Sequence, residues 1–223
     1  MEINKRMKVF EFDGPVFSFF SRVTDIVMLN IVTLIFCMPL ITIGASITAA
    51  HYTALKMRRE EGHVLSNFWR SFKENFKQST GMWMCFVVYY GVSLVAYNIA
   101  NKESDSTTYI LKGFIMAMVL IVVFIYVWAL PLQAKFINSI VGTLRTSFYM
   151  AFKYFIRTLF MMILNLLPIV TLVFIVLFTG MHGIGIWLMF GIALPIYLCA
   201  LMYNKIFEKM EEAILGKNQI EEE

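Results

Sequence analysis

The histidines and cysteines are the residues of this chain that first prompt a search for chemistry. The histidines, His51, His63 and His182, have no second histidine at the spacing of a metal site. Each cysteine falls within an apolar stretch, where a thiol behaves as a small hydrophobic group; the three are Cys37, Cys85 and Cys199. No Gly-x-x-x-x-Gly-Lys-Ser/Thr loop is present. We therefore expect no catalytic residue, no cofactor and no metal, and thus no enzyme.

Charged residues are almost absent from the interior of the apolar stretches. Ion-coupled carriers keep ionisable groups within their spans, because such groups are costly there unless they have a function. Here Asp25 and Lys112 lie near the ends of apolar runs. Asn30, Asn98 and Asn165 are polar but uncharged, and we interpret them as hydrogen-bonding groups between helices. This pattern argues against an ion-coupled carrier.

Two segments combine aromatic rings with basic side chains at helical spacing. Residues 66–79 and 146–159 align at an offset of 80 residues. In the first, aromatic residues recur every three or four positions, which places them on one face of a helix. We predict that each segment contacts the membrane surface, as an anchor for the next span, or a docking partner. The predicted contact residues are Phe68, Trp69, Phe72, Lys73, Phe76, Lys77, Phe148, Phe152, Lys153 and Arg157.

The composition of the whole chain explains where these segments must lie. Of the 223 residues, 59% are hydrophobic and only 15% are charged, and the mean hydropathy is +0.71. A globule of this size cannot hide so much apolar surface from water, so the lipid bilayer is its solvent. The net charge of +4 comes from basic residues between the apolar runs. We therefore expect no nucleic-acid partner.

Five apolar runs are long enough to cross the hydrocarbon core as helices. They lack the alternation of apolar and polar residues that transmembrane strands show. The sequence therefore predicts an all-α membrane protein with about five transmembrane helices, and residues 1–223 form a single integral membrane domain. The predicted spans are residues 24–50, 80–99, 109–134, 158–179 and 184–205.

The charges of the loops predict the orientation in the membrane. Segments 51–79 and 135–157 are basic, whereas the loop at 101–108 is acidic and polar. Basic loops stay in the cytoplasm, which places the C-terminal tail, residues 206–223, inside as well. Five spans would then put the basic N-terminus outside, against the same rule. A re-entrant bend within 24–50, or an interfacial helix at 14–23, would relieve this conflict, so the N-terminal side stays open.

The two amphipathic segments belong to a larger internal repeat. Each unit consists of a span, a proline break, a basic aromatic helix and another span. The first unit covers about residues 24–99 and the second about 109–179, with the breaks at Pro39 and Pro131. We predict a parallel repeat with both amphipathic helices on the cytoplasmic face.

The stretch from Phe12 to Phe76 resembles the YesL-like family of bacterial membrane proteins, whose function is unknown. The residues that carry the resemblance share positions near the first span, its proline break and the helix that follows. They are Asp13-Gly14-Pro15, Asp25, Asn30, the run Met38-Pro39-Leu40-Ile41-Thr42-Ile43-Gly44-Ala45, Thr48-Ala49-Ala50 and the segment 67–77. We interpret a subset as a structural motif: Asp13, Gly14, Asn30, Pro39, Thr42, Gly44, Ala45 and, in the second unit, Pro131.

The resemblance implies a place in the bacterial cell membrane and a partner. Members of the family are typically encoded beside components of oligosaccharide ABC transporters and their sensor systems. The expected function is therefore an accessory or modulatory subunit that contacts the permease or the ATPase. Two alternatives remain open: a stand-alone scaffold or sensor-assembly factor, and a small solute channel or carrier. The permease coupling motif is not matched, since Tyr149 and Phe155 replace its Glu and Gly.

Overall fold

The computed structural model describes residues 15–102, 105–136, 138–178 and 183–221. All regular secondary structure in these ranges is helical. Asp13 and Gly14 of the predicted motif lie outside the described residues. The α-helices are α1 (Pro15–Cys37), α2 (Ile43–Arg58), α3 (Val64–Ala100), α4 (Ser106–Lys135), α5 (Ile140–Lys153), α6 (Phe155–Phe178), α7 (Ile184–Phe190) and α8 (Ala193–Glu221), and a short 3₁₀ helix covers Leu40–Thr42.

Within the described residues, five helical segments, with α7 and α8 counted together, are long and apolar enough to cross a membrane, which confirms the predicted all-α membrane class. The first is shorter than the predicted run at 24–50, because α1 ends at Cys37. The apolar parts are Ser18–Cys37, Val64–Ala100, Ser106–Lys135, Phe155–Phe178 and Ile184–Leu215.

The first apolar run is broken at Pro39 into two antiparallel helices. Proline has no backbone N–H to donate and disfavours helical geometry in the residue before it. The chain therefore turns after α1, and α2 runs back along it. The Ser46 hydroxyl donates to the Thr33 carbonyl at 3.0 Å, and Arg22 near the start of α1 pairs with Glu60 after α2 at 3.2 Å. The beginning of α1 and the end of α2 thus lie at the same end of the molecule.

The two amphipathic segments are built differently. The first forms the opening turns of α3 and continues without interruption into the apolar part of that helix. The second is the separate helix α5, which ends at Lys153 before α6 starts at Phe155. Helix α4 runs through Pro131 to Lys135, so the break expected at that proline lies four residues later. The parallel repeat itself stays a prediction.

Helix α2 lies at the centre of the fold, in contact with α1, α3, α4 and α8. It can take this position because its buried face is made of small residues, which allow neighbouring helices to approach closely. The fully buried alanines of this helix are Ala45, Ala49, Ala50 and Ala54. The largest buried side chains, Trp128 and Tyr203, come from α4 and α8. Helix α6 exposes most of its apolar side chains, as expected of a lipid-facing helix.

Candidate functional site

The proline turn between α1 and α2 is held by the residues of the predicted motif. The Thr42 hydroxyl donates to the Phe36 carbonyl at 2.6 Å and lies 2.8 Å from the Pro39 carbonyl. Gly44 then faces α3 so closely that an added Cβ would lie 2.5 Å from the Ser79 carbonyl oxygen. Pro39, Thr42 and Gly44 therefore turn the chain and allow α2 to pack against α3.

Asn30 joins α1 to a break in the last apolar segment. The helical path is interrupted between α7 and α8, which leaves backbone groups without helical partners. The Asn30 side-chain oxygen accepts from Ile192 N at 2.8 Å and Ala193 N at 2.7 Å. Its amide nitrogen donates to the Leu188 carbonyl at 2.7 Å. Asn30 is fully buried, so it replaces the missing backbone bonds at this break, as the interpretation of interhelical hydrogen bonding predicted.

A buried polar network around Gln133 was not identified in the sequence. Its side-chain amide donates to the side-chain oxygens of Asn75 at 3.3 Å and of Gln78. The Thr143 hydroxyl donates to its side-chain oxygen at 2.9 Å. The network ties α4 to the amphipathic part of α3 and to α5. The only signal in the sequence is a glutamine in an otherwise apolar stretch.

A second buried polar contact joins α2 to α8. His51 Nδ1 lies 2.9 Å from the Tyr203 hydroxyl, and both side chains are buried. His51 looked isolated in the sequence because its partner is 152 positions away. Among the described residues, no group of three or more His, Cys, Asp or Glu side chains is placed to hold a metal ion.

The aromatic residues of the first amphipathic segment divide between the core and the surface. Phe68 and Phe72 are buried, and their rings lie 5.4 and 4.8 Å from that of Phe36 on α1. These two rings therefore contact the protein interior instead of the surface predicted for them. Trp69 and Phe76 are exposed. In a helical bundle, part of an aromatic face packs against neighbouring helices. Helical periodicity alone does not reveal which part that is.

On α3, basic side chains accompany the exposed ring of Trp69. The Lys73 ammonium lies 5.2 Å from the centre of the Trp69 ring, within the range of a cation–π contact. Lys77, one turn further on, is exposed. These positions remain available for the contacts that the sequence predicted.

Helix α5 carries its aromatic residues on the outside. Phe148 and Phe152 are each 51% exposed, with ring centres 4.8 Å apart. The Lys153 ammonium lies 5.2 Å from the centre of the Tyr149 ring, and a hydrogen bond with the Tyr149 side chain raises the pKa of Lys153. Arg157, on the first turn of α6, donates to the Met202 carbonyl at 3.4 Å. We call the exposed rings of Phe148, Tyr149, Phe152 and Phe155 the α5 face.

Ion pairs gather at the end of the molecule where α2, α4 and the later part of α8 meet. Glu211 pairs with Lys135 at 2.8 Å and with Arg59 at 3.5 Å. In the loop after α2, a hydrogen bond from the Lys56 ammonium lowers the pKa of the Glu61 carboxyl. The basic residues of this end therefore hold the helices together as well as carrying the charge that suggested the orientation.

Comparison with known proteins gives one match. The family model described as a protein of unknown function, DUF624, matches residues 26–97. No curated protein and no solved structure matches. The matched region begins in α1 just before Asn30, includes the Pro39 turn and α2, and ends near the end of α3. This match to a family of unknown function is consistent with the resemblance of the motif residues to the YesL-like family.

Proposed function

We propose that this protein is a non-catalytic accessory subunit of a carbohydrate ABC transporter, and that it docks through the α5 face. The carrying observation is the exposure of four neighbouring aromatic rings, three on the short helix α5 and one at the start of α6. Aromatic side chains are enriched at protein interfaces and often dominate their energetics. All four rings of the α5 face are more than half exposed.

The position of α5 supports a docking function. The helix lies beside the end of α4 and is held there by the bond from Thr143 to Gln133. It is separated from α6 by Tyr154 alone, so its direction is fixed relative to a membrane-spanning helix. Lys153 borders the rings on the side toward α6. A rigid aromatic surface with a basic edge suits a partner with an apolar patch and acidic groups.

The proposal that the partner is a transporter rests on the resemblance to the YesL-like family, whose members are encoded beside such transporters. The loop charges support an orientation in which the α5 face and the C-terminus are cytoplasmic. A permease or ATPase would meet the α5 face on that side of the cell membrane.

A stand-alone scaffold anchored to lipid is the second candidate. The basic residue Lys153 beside the Tyr149 ring favours it, because such pairs also suit a surface of anionic lipid. A solute channel receives less support. The residues that would line its path are Asn30, Thr33, Asn98 and Asn165, yet each of them bonds to helix backbone groups.

The test is purification of the tagged protein from its native membrane in mild detergent, followed by identification of co-purified transporter subunits. We expect a permease or an ATPase of a carbohydrate ABC transporter to be recovered. The double variant Phe148→Ser with Phe152→Ser should lower that recovery by about tenfold or more, since one or two interface anchors can supply several kcal/mol.

The control variant is Phe174→Ser with Phe178→Ser, which removes two exposed rings near the other end of α6. It should leave recovery unchanged. Absence of transporter subunits from the wild-type preparation would refute the accessory role. If the α5 variant instead releases the protein from anionic vesicles while subunit recovery stays normal, the lipid-anchored scaffold is the correct function.

A further inference from the structure

A cavity of about 340 Å³ lies between α2, α3, α4 and α6. Its walls are mostly apolar, and its volume is within the range of known ligand pockets. Leu166 and Ile169 of α6 line it and are also exposed to the surroundings of the protein. The cavity therefore opens sideways, between α3 and α6, toward the region that lipid occupies.

Three polar side chains also line this apolar cavity. They are His51 of α2, Tyr126 of α4 and Asn165 of α6. The hydroxyl of Tyr126 is buried and has no hydrogen-bond partner among the described residues. A buried hydroxyl without a partner costs free energy, so an acceptor is missing at this position. Pro131, which also lines the cavity, cannot supply the N–H that would bond the Val127 carbonyl one turn before it.

The depth of the cavity in the membrane follows from the distance, along the helix axes, between its lining residues and the nearest basic residues. Lys77 precedes Trp83, a lining residue of α3, by about 9 Å along the helix axis, and Arg157 precedes Asn165 by about 12 Å. The polar layer of one leaflet is on the order of 5–7 Å thick. If the basic residues are level with lipid headgroups, the lining residues Trp83 and Asn165 lie about 2–7 Å below the polar layer, at the start of the acyl chains.

We propose that this cavity binds one anionic diacyl phospholipid. One acyl chain would occupy the apolar part of the cavity and draw its ester carbonyl slightly below the polar layer, where that carbonyl accepts the hydrogen bond that Tyr126 now lacks. The headgroup phosphate would then lie just below the level of Lys77 and Arg157, whose positive charge complements it. A sugar is a poor fit, because few of the lining residues can bond to its many hydroxyls.

The test uses the full-length protein, stripped of lipid in detergent and titrated with phosphatidylglycerol or phosphatidylcholine carrying the same acyl chains. Native mass spectrometry would count bound lipids. A photoreactive phosphatidylglycerol with a diazirine on one chain would locate them. We expect one retained phosphatidylglycerol, weaker retention of phosphatidylcholine, and adducts on peptides that line the cavity.

Two variants separate the site from general contact with lipid. Tyr126→Phe removes only the hydroxyl, and it should weaken binding of phosphatidylglycerol by about two- to tenfold, the usual effect of one hydrogen bond. Ile169→Trp narrows the mouth and should remove the cavity adducts. The matched controls are Tyr109→Phe and Val173→Trp, at exposed positions outside the cavity, and both should bind as the wild type does.

Circular dichroism and size-exclusion chromatography would confirm that each variant is folded. If Ile169→Trp does not fold, the result for Tyr126→Phe decides the test. The proposal is overturned if adducts are spread evenly over the exposed helices, or if Tyr126→Phe binds as tightly as the wild type. Equal retention of the two lipids would overturn the preference for an anionic headgroup.

Discussion

Single polar residues in the apolar stretches of this protein replace backbone hydrogen bonds that the fold interrupts. Asn30 supplies three such bonds at the break between α7 and α8. Thr42 bonds to two carbonyls at the Pro39 turn. In a membrane each unsatisfied backbone group costs several kcal/mol, so an interruption is tolerated only where a side chain fills it. These residues therefore act as parts of the scaffold.

Replacing Asn30 with leucine should destabilise the protein by at least about 2 kcal/mol, because it removes three hydrogen bonds and interhelical bonds in a membrane contribute about 0.6 kcal/mol each. For a chain of this length, that change corresponds to a fall in Tm of about 4–8 °C. Thermal unfolding in detergent, followed by circular dichroism, measures it.

Asn98→Leu is the matched control, because Asn98 is exposed and its one partner among the residues that the structure describes is the Leu94 carbonyl of its own helix, at 2.9 Å. Its Tm should change little. Equal Tm values for the Asn30 and Asn98 variants would show that the bonds at the α7–α8 break contribute nothing to stability.

At the scale of elements, the central feature is the close packing of α2 against α3. Small residues on α2 bring the two backbones together, and Gly44 marks the point where no side chain fits. The Gln133 network fixes the same part of α3 to α4 and α5. The amphipathic part of α3 is consequently buried on the side of Phe68 and Phe72, whereas α5 keeps its rings outside.

Gly44→Ala should destabilise the protein by about 1–3 kcal/mol, the usual cost of overpacking a close contact. The added Cβ would lie 2.5 Å from both the Ser79 carbonyl oxygen and the Trp83 Cβ, so α2 and α3 must move apart. The measurements are the Tm in detergent and the amount of protein in the membrane.

Gly91→Ala provides a control for which the expected change in stability has the opposite sign. Gly91 lies in α3 with nothing within 4 Å of the added Cβ, and alanine favours a helix over glycine by about 0.5–1 kcal/mol. This variant should be as stable as the wild type or more so. A Gly44 variant that matches it would contradict the close-packing argument.

For the whole molecule, the arrangement of helices removes the conflict over the N-terminus. Because α1 and α2 are antiparallel, the start of α1 lies beside Glu60, at the end of the molecule where Arg59 and Lys135 pair with Glu211. Arg22 therefore shares this end of the molecule with the other basic segments, as the positive-inside rule requires.

Single cysteines in a background without Cys37, Cys85 and Cys199 test this arrangement. Cysteines at Ser21 and Glu212 should react with a membrane-impermeant maleimide only in inside-out vesicles. A cysteine at Asn101, next to the acidic loop, should react only in intact cells with a permeable outer envelope. Labelling of the Ser21 position in intact cells would contradict the common side of the two termini.

The sequence by itself determined the membrane as solvent, the helical class and the number of long apolar helices, because these depend on composition and run length. It also identified the residues around Pro39 and Gly44 as a structural unit, since proline and glycine act locally. Only the tertiary structure decided that residues 24–50 form two antiparallel helices and that Phe68 and Phe72 are buried. It alone paired Asn30 with the α7–α8 break and His51 with Tyr203. Those outcomes depend on contacts between residues far apart in the chain, and helical periodicity gives no information about such contacts.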